Sequence, residues 1–192
     1  MPLTPITGPA LEPVSLQEAK DHLRVDLADE DVLIASLISA ARIHIEQWLS
    51  RALITQSWSY IADAWPADLT VTLPIAPVQA VSEVRVIGLN DNIQIIPGSD
   101  YFLDAASDPA RLLRRVGAPW PNPGRVANGI EIDFVAGYGA AASDVPQPLR
   151  QAVLLLVAHW FERREPVELG SALETVPMTV GGLLAPYRSV RL

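Results

Sequence analysis

Residues 29–50 read DEDVLIASLISAARIHIEQWLS and constrain the fold more than any other stretch of the chain. Ile34, Leu37, Ile38, Ala41, Ile45, Trp48 and Leu49 recur at i, i+3, i+4 and i+7. At about 100° per residue they form an apolar stripe roughly 120° wide. The segment predicts one helix about 33 Å long. Asp29, Glu30 and Asp31 stand at its start, where the helix dipole favours negative charge. Such a helix is the spine of a core. Val32 and Ile43 do not fit, because they project from the opposite, otherwise polar face. They are candidates for a subunit contact, against the plainer alternative of ordinary exposed apolar residues.

Before this helix, residues 1–14 hold four prolines and little periodicity. They predict an extended arm, either frayed or strapped onto a neighbour. Ser15 and Glu18 then have capping-box spacing and predict a short helix to about Leu23. The link 24–28 is short, so the two helices should pack as an antiparallel or crossed pair.

After Arg51 the apolar period changes to two. Segments 56–61, 71–73, 81–87, 93–96, 100–104, 111–115 and 130–135 read as strands separated by turns. They predict an antiparallel meander or small sandwich inserted at 52–136. The proline-rich stretch 117–124 interrupts it. Trp120 within that stretch either lids its own core or docks a ligand.

Asp144 has the place of a helix cap, with Gln147 in capping-box position and Pro146 in the first turn. The helix should run to about Arg164. Leu149, Ala152, Val153, Leu156 and Trp160 form its main stripe, and Leu154, Leu155, Ala158 and Phe161 cover much of the rest. A helix apolar almost all round is buried on most sides. The sheet or a second subunit must cover Leu154, Leu155 and Phe161. A linker follows. Val180, Leu183, Leu184 and Tyr187 then regain helical spacing, although Gly181 and Gly182 cost about 2 kcal/mol of helix propensity relative to alanine. So short a helix needs a groove, in its own chain or in a partner.

The expected organisation is α+β. An extended arm covers 1–14, a helical core 15–51 and 137–165, a β insertion 52–136, and a linker with a helical tail 166–192. Forty-nine per cent of the residues are hydrophobic, enough for a real core. No signal segment opens the chain, and its longest apolar run is too short to span a membrane.

The chemistry of catalysis is missing from the sequence. The chain has no cysteine, which excludes thiolate metal sites and cysteine nucleophiles. His22, His44 and His159 lack zinc-protease spacing, and no phosphate or dinucleotide loop is present. Asp63, Asp68, Asp100, Asp104 and Asp108 are loop or strand-end carboxylates able to meet a hard cation, but no calcium loop surrounds them. Arg111, Arg114, Arg115 and Arg125 form the only basic cluster, suited to a partner's carboxylates or to solvent. No cofactor is expected. A net charge of -8 does not suit a protein that grips a phosphate backbone.

Three segments together resemble the head–tail connector, or adaptor, proteins of long-tailed phages and phage-derived gene transfer agents. The first is VSLQEAKDHLRV at 14–25 with the DED helix behind it. The second is FVAGYG at 134–139 with VPQPLRQAVLLLVAHWFERRE at 145–165. The third is LLAPYR at 183–188. The resemblance implies a structural subunit of a virion or phage-like particle, placed at the head–tail junction and made in the host cytoplasm. It implies a ring, typically of twelve subunits, beneath the portal protein. Such a ring extends the DNA channel without sequence-specific binding and offers a surface to the next tail-side protein. It also implies that Val180, Leu183, Leu184, Tyr187 and Arg188 dock on the portal, with no membrane involved. Rival readings are a stopper or tail terminator, a hydrolase using the loop carboxylates, and a carbohydrate-binding sandwich around Trp120.

Overall fold

The computed structural model describes residues 2–163 and 178–188. The chain forms two units, Met1–Ala10 with Thr55–Tyr138, and Leu11–Ile54 with Gly139–Leu192.

The first unit is all β. Its strands are β1 (Leu3–Thr7), β2 (Gln56–Ala62), β3 (Thr70–Thr72), β4 (Val78–Ile87), β5 (Ile93–Ile95), β6 (Tyr101–Asp104), β7 (Arg111–Arg114) and β8 (Ile130–Ala136). One sheet has the order β1-β2-β8-β4-β5 and the other β3-β7-β6. Every pairing between these strands is antiparallel. The order is not a meander, because β8 lies between β2 and β4. Period-two alternation explains its central place. Ile130, Ile132, Phe134 and Ala136 are all fully buried, while Glu131 and Asp133 between them are half-exposed. Tyr60 and Val84 flank Ile132 on the same buried face. The residues expected to form an extended arm, frayed or strapped onto a neighbour, include β1, which pairs with β2 of its own chain from Leu3 opposite Tyr60 onward. Trp120 is nearly buried and stacks on Trp65 with ring centroids 4.2 Å apart, so it lids its own core. Gly124 is required there, since a Cβ would come within 2.2 Å of the Leu89 amide nitrogen.

The second unit is helical, with α1 (Leu16–Leu23), α2 (Asp31–Leu49), α3 (Gln147–Glu162) and α4 (Met178–Leu184). The capping box forms: the Glu18 amide donates to Ser15 Oγ at 3.2 Å, and the Ser15 amide donates to Glu18 Oε2 at 2.9 Å. The bonds that the Ser15 amide and hydroxyl donate to the Glu18 carboxyl hold it below its ordinary range. Arg24 and Ser50 end α1 and α2 in the left-handed conformation. Ile34, Ile38, Ala41, Ile45 and Leu49 of α2 are buried, as are Leu149, Ala152, Val153, Leu156 and Val157 of α3, and the two helices pack together.

Two side chains depart from the expected pattern here. Trp48 belongs to the apolar stripe by spacing, yet it is among the exposed large residues, because Ile45 and Leu49 fill the seam. Asp144 does not cap α3. It closes a 3-10 turn at Ala142–Asp144 and accepts the Ala141 amide at 2.9 Å, while Pro146 takes the cap position. By length and apolar composition Ala28–Leu49 could cross a membrane; its apolar stripe is instead the core of this unit.

An ion-pair network ties the segment before α1 to α2. Arg42 is buried, and it donates from Nε to Glu12 and from Nη1 to Glu46, each at 2.7 Å. Burial opposes its charge, but the bonds to Glu12 and Glu46 outweigh that, and its pKa is raised. Glu46 in turn accepts the Leu53 amide at 2.8 Å.

Candidate docking surfaces

The exposed face of α2 carries no charge. Its exposed residues are Val32, Ala35, Ser36, Ala40, Ile43, Gln47 and Trp48. Val32 is 84% and Ile43 44% exposed, and the two lie about 16 Å apart along the helix. Solvent faces of helices are ordinarily polar or charged, and this one is uncharged with two large apolar residues exposed on it. A second uncharged stripe lies on α3, where Leu154, Leu155, Ala158 and Phe161 are half-buried. Near the C-terminal ends of both helices, His44 lies between Trp48 and Trp160 with ring centroids 5.9 Å from each. Trp residues with one exposed edge are common anchors of protein interfaces.

The tail is docked on its own unit. Val180 and Leu184 are fully enclosed, α4 packs on α3, and Arg51 Nε donates to the Tyr187 carbonyl at 2.6 Å. Of the five tail residues that sequence assigns to portal docking, Val180 and Leu184 therefore grip their own chain in this conformation. Leu183 and Tyr187 are half-buried and Arg188 is exposed, with Met178 exposed beside them.

The remaining polar clusters serve the fold. Asp63 accepts the Asn128 amide at 2.8 Å, and Asp68 accepts the Thr70 amide at 3.2 Å. Asp104 accepts from the Ser107 hydroxyl and from Arg111, each at 2.6 Å, and these bonds lower its pKa to about 2. Asp63, Asp68 and Asp104 each hold a turn of their own. Among the described residues no group of three His, Asp or Glu side chains is placed to hold a metal ion. The basic cluster is likewise spoken for. Arg111 pairs with Asp104, Arg125 with Asp91 at 2.7 Å, Arg115 lies over the Phe102 ring, and Arg114 donates to the Ala118 carbonyl at 3.3 Å.

Sequence reading missed a charged centre on the outer face of the large sheet. Arg85 meets Glu83 at 2.5 Å, Asp133 at 2.8 Å and Glu131 at 3.0 Å. Burial works against its charge, yet the hydrogen bonds it donates to Glu83, Asp133 and Glu131 prevail and hold its pKa well above the ordinary value. The alternation in 81–87 and 130–135 puts these residues on outward faces, but only the strand order reveals that the two segments are neighbours.

Comparison with known proteins places the chain in a family. The family model for head completion protein matches residues 12–189. A chain in the neck of an empty GTA particle, computed with C6 symmetry, is 32% identical, with a TM-score of 0.82 over 100% of this chain and 97% of that one. A chain of the native gene transfer agent virion is 30% identical with a TM-score of 0.82, covering 100% and 97%. A chain in the neck of the native GTA particle, computed with C12 symmetry, is 30% identical with a TM-score of 0.77 and the same coverage. No curated protein matches the chain. An α+β chain that the family model matches over residues 12–189, and whose likeness to these neck chains runs from end to end, belongs to the head completion protein family, structural proteins of the phage head–tail junction.

Proposed function

We propose that this chain is an adaptor subunit that forms a ring beneath the portal, extends the DNA channel and presents the attachment surface for the next tail-side protein. The observation that carries the reading is the pair of uncharged stripes on the helical unit of a chain with net charge -8. A cyclic ring uses head-to-tail contacts, so each subunit needs two different patches. The Val32–Ile43 face of α2 and the Leu154, Leu155 and Phe161 stripe of α3 supply them. The C12 symmetry of the related neck supports a twelve-fold ring. The role is structural and not catalytic, and DNA passes an acidic wall that does not hold it.

In this reading the helical core builds the ring and the tail reaches the portal. The tail's outward residues, Met178, Leu183, Tyr187 and Arg188, make the first contact, and Val180 and Leu184 join if α4 leaves its groove. The test is capture on immobilised portal protein, comparing the full chain with one ending at residue 175. Loss of capture on truncation is expected, and equal capture refutes the tail's role. Val32→Lys tests the ring. Particles carrying it should be filled heads without tails, and normal tailed particles would overturn the α2 assignment.

A further inference from the structure

Among the described residues neither edge of the large sheet is paired with a further strand, and the two edges match each other. Hydrogen bonds from the Gly88 amide to the Asn92 carbonyl at 2.7 Å and from the Ile96 amide to the Val84 carbonyl at 2.9 Å bracket the β4–β5 ladder. Antiparallel ladders alternate bonded and non-bonded pairs. Val86 and Gln94, midway between, are therefore a bonded pair. Ile93 and Ile95 direct their N–H and C=O groups away from β4, toward the open edge. Their side chains are 59% and 57% exposed. At the other edge the Ile61 amide donates to the Pro2 carbonyl at 3.1 Å. By the same alternation Leu3 and Pro5 direct their backbone groups outward from β1.

The faces also correspond. Ile95 stands opposite Arg85, Arg85 opposite Glu131, and Glu131 opposite Ile61, in one row across the sheet. Thr4 stands opposite Ser59, in the next row on that same face. Thr4 is exposed, and so is Ile6 at the β1 bulge. This face thus has the Arg85 cluster in its middle and β-branched residues at both margins, the residue type that packs well between neighbouring strands.

Five strands, each antiparallel to the next, leave β1 and β5 running in the same direction. Copies related by rotation about a ring axis can lay β5 of one beside β1 of the next as parallel neighbours. A β5–β5 seam would be antiparallel and would need a two-fold axis between the copies. We propose that adjacent subunits of the ring are joined by a β seam, with Ile93 and Ile95 of one copy beside Thr4 and Ile6 of the next. The Ile93 and Ile95 amides donate to the Leu3 and Pro5 carbonyls. Pro5 has no amide to return, so the Ile93 carbonyl is left without a backbone donor in the seam, which therefore rests on two backbone bonds and the side-chain contacts. The seam rests on the ring reading above and adds a second contact to it.

The chain has no cysteine, so an engineered pair reports one contact only. Particles carrying the full chain with Thr4→Cys and Ile93→Cys are oxidised and run without reductant, and the same particles are imaged. A ring in the images with a ladder of cross-linked subunits supports the seam. A ring with monomer bands alone overturns the seam and leaves the ring reading standing. Particles with no ring overturn both. Ile93→Pro gives an independent readout. It deletes only an outward amide, and Asn92, with φ -66 and ψ 123, already has the conformation required before proline. A tenfold or greater loss of tailed particles, with the isolated chain's circular dichroism unchanged, is expected. Undiminished assembly of tailed particles overturns the seam.

Discussion

Gly181 and Gly182 lie inside α4, the helix by which the tail grips its own unit. Neither position needs glycine in this conformation. Neither has the positive φ found at Gly117 and Gly137, and a Cβ added at either would meet nothing within 4 Å. Each glycine costs about 1 kcal/mol of helix stability relative to alanine, because it surrenders more backbone freedom on folding. Burying Val180 and Leu184 contributes about 1.5–3 kcal/mol each, so the glycines take back a large share of what holds the tail. The double substitution Gly181→Ala and Gly182→Ala should deepen docking by about 2 kcal/mol, roughly a 30-fold shift between docked and undocked tail.

Hydrogen exchange reads this directly. The amides from Gly182 to Leu184, which have intrahelical acceptors, should exchange about 30-fold more slowly in the variant when opening is local. If the tail undocks to reach the portal, portal affinity should fall by up to the same factor, since the competent state is rarer. Unchanged or faster exchange would refute the reasoning, because some constraint other than helix propensity would then govern the tail. Slower exchange with unaltered portal binding would confine the portal contact to residues already facing outward.

Three further outcomes follow from local geometry. Arg42→Ala leaves Glu12 and Glu46 without their buried partner and should cost about 3 kcal/mol, read from the urea midpoint; an unmoved midpoint refutes it. Ser15→Ala removes the α1 cap and should cost about 1 kcal/mol in the same assay. Asp104 has its pKa lowered from the ordinary 3.8 to about 2, so its support for the β6–β7 pair is complete above 3.8 and lost as pH falls toward 2. Carbon-detected titration of Asp104 should show that midpoint, and Arg111→Gln should raise it; a midpoint near 3.8 in the unaltered chain would sink the assignment.

Seven of the eight strands are visible as short apolar runs bounded by turn residues, and β8 adds strict alternation, whereas β6 (YFLD) and β7 (RLLR) have none. The exception is β1, where Pro2, Pro5 and Pro9 mask the pattern, and the strand exists only because β2 offers an edge. Strand order is not legible at all. Nothing local to 130–135 says that it lies between β2 and β4, since that pairing is long-range. The helical surfaces fared differently. Val32 and Ile43 stand out because a 3.6-residue period fixes which face each residue takes. Trp48 misleads for a related reason. A stripe about 120° wide is broader than the seam its neighbours can cover, and the largest side chain at its margin stays outside. Ile93 and Ile95 escape notice because alternation gives two faces and does not say which is covered. Here all three residues of β5 are exposed.

The placement of charge argues for neighbours more strongly than the amount of apolar surface does. The chain carries 22 acidic and 14 basic residues, yet no exposed position of α2 uses one. A monomer gains solubility and resistance to association from charges on such a face. Their absence along a helix whose opposite side is a closed core is what the proposed ring contact would explain. The large sheet repeats the pattern in two dimensions. Its charges are gathered around Arg85 and neutralise one another in part, while its margins carry isoleucine and threonine where charges would block strand pairing. Edge strands that must stay single are guarded by lysine, by proline or by a bulge. β1 has the proline and the bulge, and β5 has neither within Ile93–Ile95. An edge left unguarded on one side and half-guarded on the other is selective: it disfavours β1–β1 association while leaving the Leu3 and Pro5 carbonyls open to a rotated copy's β5.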